Sequence, residues 1–155
     1  MKIKKISKDH YLLFINSKYL NLVDYNSKDA IIVSVKDMLL KVQKLNYFNM
    51  NGFYKVKVYP NKKIGVFIDI EKIDDNSYGD HVDLKVIVYM KSLFYFKTDN
   101  YECLPSDIEV SFKDEYYYVN VDDITNINKV IEFGEVEYGS EVEELLIDST
   151  KIKKH

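Results

Sequence analysis

The sequence predicts an α+β protein of two small lobes, each a short, mostly antiparallel sheet covered by one or two helices. Three observations carry this expectation. Several runs alternate apolar and polar residues at period two and are separated by turn residues. Two segments instead repeat apolar residues at helical spacing, Val35 to Leu45 and Val142 to Leu146. Between them "DDNSYGDHVD", residues 74–83, is polar, contains a glycine and coincides with a reversal in the sign of the charge. The expected division is a basic N-terminal lobe over 1–73, a linker over 74–83 and an acidic C-terminal lobe over 84–155.

In chain order, "MKIKKI" and "YLLFI" read as strands joined by the polar turn Ser7-Lys8-Asp9-His10. "NSKYLNLVDYNSKD" is mixed and holds a short helical turn. "SVKDMLLKVQKL" is the clearest helix: Ser34 is placed to cap it and Asp37, three residues on, approximates a capping box. Its face is Val35, Met38, Leu39, Val42 and Leu45. A hairpin follows. Tyr54, Val56 and Val58 alternate with Lys55, Lys57 and Tyr59, "PNKK" turns the chain, and Ile64, Val66, Ile68 and Ile70 return at period two.

In the second half, "LKVIVYM" reads as a strand, while "KSLFYFKTDNYECLPS" admits a short helix or an irregular strand and ends at Pro105. "DIEVSF" sets Ile108, Val110 and Phe112 on one face, and after the turn at Lys113-Asp114, "EYYYVNV" does the same with Tyr117, Val119 and Val121. Asp122 or Asp123 is expected to cap a short helix running through Val130, and "IEFGEVEY" is strand-like. Ser140 opens a final helix with Glu143 at the capping-box position, burying Val142, Leu145 and Leu146. "TKIKK" is a last edge strand.

Composition narrows the function classes. With 46% hydrophobic and 30% charged residues the 155-residue chain is globular in character. No apolar run approaches the ~18 residues of a membrane span. The N-terminal residues alternate rather than opening an apolar core, so no export signal is expected, and the expected compartment is the cytoplasm. Cys103 is the single cysteine, which excludes an intramolecular disulfide and a multi-thiolate zinc cluster. All 22 cationic residues are lysine. Without arginine there is no bidentate reading of guanine or phosphate, so no specific nucleic-acid partner is expected. Residues 1–73 hold 14 lysines against 6 acids, a net +8, and residues 74–155 hold 8 against 19, a net −11. Such polarity suggests two surfaces with different electrostatic partners.

Catalytic signatures are absent from the pattern. Tyr116, Tyr117 and Tyr118 could form a stacking platform, pack within a sheet, or touch a partner. Their neighbours Asp114, Glu115, Asp122 and Asp123 repel phosphate, which favours packing. Asp80, His81 and Asp83, with Asp74 and Asp75, have metal-ligand chemistry but match no calcium or zinc spacing, and read as a solvated linker. His10 and His155 complete no nucleophile–base arrangement, Cys103 reads as a packed thiol, and the five glycines form no phosphate loop. Neither a metal nor a cofactor is expected. The expectation is a binding protein, not an enzyme.

The order of these segments resembles the MecA family of adaptor proteins. In that family a Met-x-Ile strand turns into a Phe-Ile strand, and a helix leads to a hairpin closing on a Gly-Val-x-Ile strand. Here "MKIKKISKDHYLLFI", "VKDMLLKVQKL" and "YKVKVYPNKKIGVFIDIEKI" look similar. The family's C-terminal pattern of strand, acidic turn, Tyr-rich strand, Glu-aromatic-Gly step and closing helix is matched by "DIEVSFKDEYYYVNVDD", "VIEFGEVEYGSEVEELL" and "TKI". The family's long charged linker is reduced to 74–83, and its first C-terminal helical region to "KSLFYFKTDNYECLPS". The resemblance implies a non-enzymatic adaptor that binds a client protein through its N-terminal domain and delivers it to the ClpC unfoldase through its C-terminal domain.

On this reading, Lys55, Lys57, Lys62 and Lys63 are candidates for client binding. Glu135, Glu137, Glu141, Glu144 and Asp148 are candidates for docking a basic groove on the Clp-type unfoldase, or else form a solvated face. The alternative function is a stand-alone protein-binding inhibitor or regulatory module without unfoldase contact.

Overall fold

The computed structural model describes residues 2–16, 27–44, 51–74, 82–125, 127 and 133–155. The chain is α+β and forms two compact units, 1–90 and 91–155, each containing one five-stranded sheet.

The first unit contains β1 (Lys2–Ser7), β2 (His10–Asn16), α1 (Lys28–Lys44), β3 (Gly52–Asn61), β4 (Gly65–Asp74) and β5 (Val82–Val88). The strand order is β1-β2-β4-β3-β5, with every pair antiparallel except β3 and β5, which run parallel. The alternation foreseen in the hairpin sets one face: Val56, Val58, Val66, Ile68 and Ile70, joined by Leu13 and Ile15 of β2, are buried with Ile31, Val35, Leu39 and Val42 of α1. Each such aliphatic side chain contributes about 1.5–3 kcal/mol through burial. Asn61 holds the β3–β4 turn, its Oδ1 accepting from the backbone N–H of Lys63 at 2.9 Å and of Ile64 at 3.3 Å. Gly52 begins β3 with φ +105°, where a Cβ would lie 2.5 Å from the Asp74 carbonyl oxygen at the end of β4. Only glycine fits there without moving the strand.

Two expectations are corrected in this unit. The helix begins at Lys28, and its cap is Ser27, whose Oγ accepts from the Ala30 N–H at 3.2 Å. Ser34 lies inside the helix, because Ile31 continues the buried stripe one turn before Val35. The strand after the polar stretch belongs to the first sheet and not to the second lobe. β4 ends with Asp74 opposite Phe53, and β5 begins with Val82 opposite Gly52, so both ends of 75–81 lie beside the start of β3. Leu84, Val86 and Val88 thereby join the α1-covered core. The units divide after Met90, later than the 74–83 boundary expected from charge and polarity. Residues 75–81, most of that linker, lie outside the described residues, as do residues 17–26 of the 16–29 segment expected to hold a short helical turn.

The second unit contains β6 (Phe94–Thr98), β7 (Ile108–Lys113), β8 (Tyr116–Asn120), β9 (Glu135–Tyr138), α2 (Ser140–Leu146) and β10 (Thr150–Lys154). Its order is β10-β7-β8-β6-β9, antiparallel throughout. Phe94, Phe96, Ile108, Val110, Val119, Val121, Leu104, Ile124 and Ile127 are buried. On the opposite face Tyr118 packs with Val142 and Leu146 of α2, flanked by Tyr95 and Leu145. The ambiguous segment resolves into β6 followed by a 3-10 helix at Tyr101–Cys103. Lys154 Nζ donates to the carbonyls of Leu104 at 2.6 Å and Tyr101 at 2.9 Å, fastening the edge strand β10 to that turn.

Two caps differ from expectation here as well. Asn120, not Asp122 or Asp123, accepts from the Asp122 N–H at 2.9 Å and caps a 3-10 helix at Val121–Asp123. The helix foreseen through Val130 falls largely outside the described residues. At α2, Gly139 (φ 93°) takes the cap position without a side-chain bond and Ser140 is the first helical residue, so no capping box forms with Glu143. The two-residue turn from β7 to β8 has Asp114 at φ 51° and Glu115 at φ 71°, the paired left-handed geometry that twists with a hairpin.

Candidate functional site

The client-binding candidates lie on β3 and its turn. Lys55 and Lys57 point away from α1, on the open face of the first sheet, and are half-buried; Lys62 is exposed and Lys63 half-buried in the turn. Register supplies their neighbours. Lys55 lies opposite Glu71 and Lys57 opposite Asp69 on β4, while on the other side Lys55 meets Lys85 and Lys57 meets Ile87 of β5. The basic row is therefore interleaved with carboxylates, one of which is also engaged by His10, whose Nε2 lies 2.5 Å from Asp69 Oδ1.

The same face carries an aromatic row that the sequence reading did not single out. Phe14, Phe67 and Tyr59 are successive register partners across β2, β4 and β3. Phe14 and Phe67 have ring centroids 4.6 Å apart, and Tyr59 stacks on Tyr89 at 5.0 Å and 9°. No strand shows the row by itself, since Phe14 follows Leu12, Phe67 precedes Asp69 and Tyr59 follows Lys57 on their open faces, and only pairing across strands gathers these rings. Only Tyr59 and Tyr89 are stacked face to face, while Phe14 and Phe67 are tilted by 34°.

In the second unit the acidic candidates separate into two groups. Glu141, Glu144 and Asp148 are exposed on α2 and just beyond it, as expected from the burial of Val142 and Leu146. Glu135 and Glu137 instead converge on Lys97. Its Nζ lies 3.7 Å from Glu135 and 3.5 Å from Glu137, 4.3 Å from the centroid of the Tyr116 ring and 6.0 Å from that of Tyr118. Register explains the meeting: Lys97 pairs with Glu135 on β9 and with Tyr118 on β8. Burial of the Lys97 ammonium works to lower its pKa, but Tyr118, Glu137 and Glu135 together outweigh it and the net shift is upward. Burial raises the Tyr118 phenol, against the lowering influence of Lys97.

The tyrosine run thus divides by strand geometry. Tyr116 and Tyr118 share the face under Lys97 and α2, while Tyr117 packs on the opposite face against Tyr101 at 5.1 Å and Phe112 at 4.9 Å. Cys103 is half-buried, its Sγ 3.8 Å from Thr98 Oγ1. Among the described residues no group of three or more His, Cys, Asp or Glu is arranged to hold a metal ion; Asp75, Asp80 and His81 lie outside them. Among the described residues no helix is long and apolar enough to cross a membrane. No family model, curated protein or solved structure matches the chain.

Proposed function

We propose that this protein is a non-enzymatic cytoplasmic adaptor, one unit holding a client protein and the other engaging a Clp-type unfoldase such as ClpC. The observation that supports this most is the division into two units of opposite charge. Unit 1–90 holds 15 lysines and 10 acids, a net +5, and unit 91–155 holds 7 lysines and 15 acids, a net −8. Each unit has its own sheet, so the two charge fields sit on separately built surfaces. Complementary fields of this kind steer association and set partner choice more than they hold the complex. The segment-by-segment resemblance to MecA-type adaptors supplies the identity of the unfoldase partner. Glu141, Glu144 and Asp148 are the exposed acids assigned to it, and Lys55 and Lys57, with the aromatic row beside them, are assigned to the client.

Purified ClpC tests the reading directly. Immobilised full-length chain should retain ClpC, and Glu141→Lys with Glu144→Lys should slow that association at low salt while leaving the fold intact. Wild-type chain that fails to retain ClpC at any salt would remove the adaptor assignment.

One observation favours a second reading, a stand-alone protein-binding inhibitor or regulatory module. Lys97 offsets one of the two charges of Glu135 and Glu137, which reduces the acidic surface available to a basic groove. Failure to bind ClpC together with stable retention of a different protein would support that alternative.

A further inference from the structure

Four strands lie at the sheet edges among the described residues, and three carry the usual protection against pairing with another chain. β1 bears Lys2, Lys4 and Lys5 and has a register irregularity between Lys5 and Ser7. β10 bears Lys151, Lys153 and Lys154, and β9 is four residues long with Glu135 and Glu137. β5 differs. It runs seven residues, "VDLKVIV", in continuous register with β3, without proline, and its only charges are Asp83 and Lys85.

The direction of its backbone groups follows from one bond. The Tyr89 N–H donates inward to the Val58 carbonyl at 2.9 Å. By the two-residue alternation of a strand, the N–H and C=O groups of Asp83, Lys85 and Ile87 also point toward β3. Those of Val82, Leu84, Val86 and Val88 point outward, where no described strand pairs with them.

We propose that β5 pairs antiparallel with β5 of a second copy of this chain, about a two-fold axis at Leu84, joining the two five-stranded sheets. In that register the outward-pointing residues face one another: Leu84 opposite Leu84, and Val82 opposite Val86, on the side covered by α1. On the open face Asp83 lies opposite Lys85 of the second copy, and this pair occurs twice. Charge complementarity selects the register. Centring on Lys85 sets two lysines against each other, and centring on Val86 leaves Asp83 against Tyr89 and Lys85 against Ile87. Lys85 already lies beside Lys55 within its own sheet, so a carboxylate brought to its free side offsets a like-charge neighbour. Asp83 and Lys85 are both exposed, and both sit at non-hydrogen-bonded sites of the new ladder, where side chains approach most closely. A two-fold, self-complementary contact closes on itself and ends the growth of the sheet at two copies.

Sedimentation velocity on the full chain, over a concentration series reaching the submillimolar range, tests the proposal. Wild type is expected to pass from monomer to dimer. Asp83→Lys alone sets lysine against lysine and Lys85→Asp alone sets aspartate against aspartate, and each should weaken dimerisation at least about tenfold. The double variant D83K/K85D has the same composition as wild type and should dimerise like it. An equimolar mixture of the two single variants should form a one-to-one dimer. A wild-type chain that stays monomeric throughout the series overturns the proposal. Single variants that dimerise as well as wild type, or a double variant that does not regain dimerisation, also overturn it.

Discussion

Replacing Lys97 by methionine isolates the charge at the centre of the β6–β8–β9 cluster, because the unbranched side chain keeps most of the packing of the lysine stem. The loss can be worked from the geometry. Glu135 is 3.7 Å away with 69% of its side chain exposed, and such a pair contributes at most about 0.3 kcal/mol. Glu137, at 3.5 Å and 40% exposed, contributes about 0.5 kcal/mol. The ammonium over the Tyr116 ring at 4.3 Å adds about 0.5–1 kcal/mol. Lys97→Met should therefore destabilise the fold by about 1–1.8 kcal/mol, lowering the urea midpoint by roughly 0.5–1 M with an unchanged slope. Urea titration followed by circular dichroism measures this, and a double-mutant cycle with Tyr116→Leu should return a coupling of about 0.5–1 kcal/mol. Raising the salt should shrink the carboxylate share and spare most of the ring contact. A K97M variant as stable as wild type would refute the reasoning, since removing the partly desolvated ammonium would then gain as much as losing its partners costs.

Ile68 is completely buried in the first sheet, so Ile68→Ala should cost about 2–5 kcal/mol in the same titration. Glu115 sits at φ 71°, a conformation glycine adopts without a Cβ clash, and Glu115→Gly should stabilise by about 0.5–1 kcal/mol, seen as a higher midpoint. Burial raises the phenols of Tyr118 and Tyr95, and Lys97 is raised on balance by Tyr118, Glu137 and Glu135 against its own burial. Each holds its proton to higher pH when folded than when unfolded, so their contribution is complete below about pH 10 and is lost as the pH rises beyond it. Tyr118→Phe should make that alkaline decline shallower in a pH series of urea titrations.

By itself the sequence determined most of the strands, the inward faces of the β3–β4 hairpin and the buried stripe of each helix from Val35 and from Val142 onward. These follow from periods of two and 3.6 residues that any short window displays, while β6 stayed open between helix and strand. Tyr54, Val56, Val58, Val66, Ile68 and Ile70 were assigned to one side on alternation alone, and that side is the one α1 covers. The exposed positions of Glu141, Glu144 and Asp148 followed in the same way from the burial of Val142 and Leu146.

What only the tertiary structure decided was which elements meet. β5 carries a strand pattern that would suit either sheet, and it joins the first because β3 offers a free edge beside the end of β4 and α1 covers its apolar side. Ser27 and Ser34 are equivalent as caps in composition, and the choice depended on whether Ile31 found a buried partner. Lys97 meets Glu135 and Glu137 across some forty residues of chain, and Phe14, Phe67, Tyr59 and Tyr89 form a row only once their strands are in register. Local periodicity constrains the direction of a side chain relative to its own backbone. It does not specify which backbone lies next to it, and that is settled by how several partly apolar faces can be buried together.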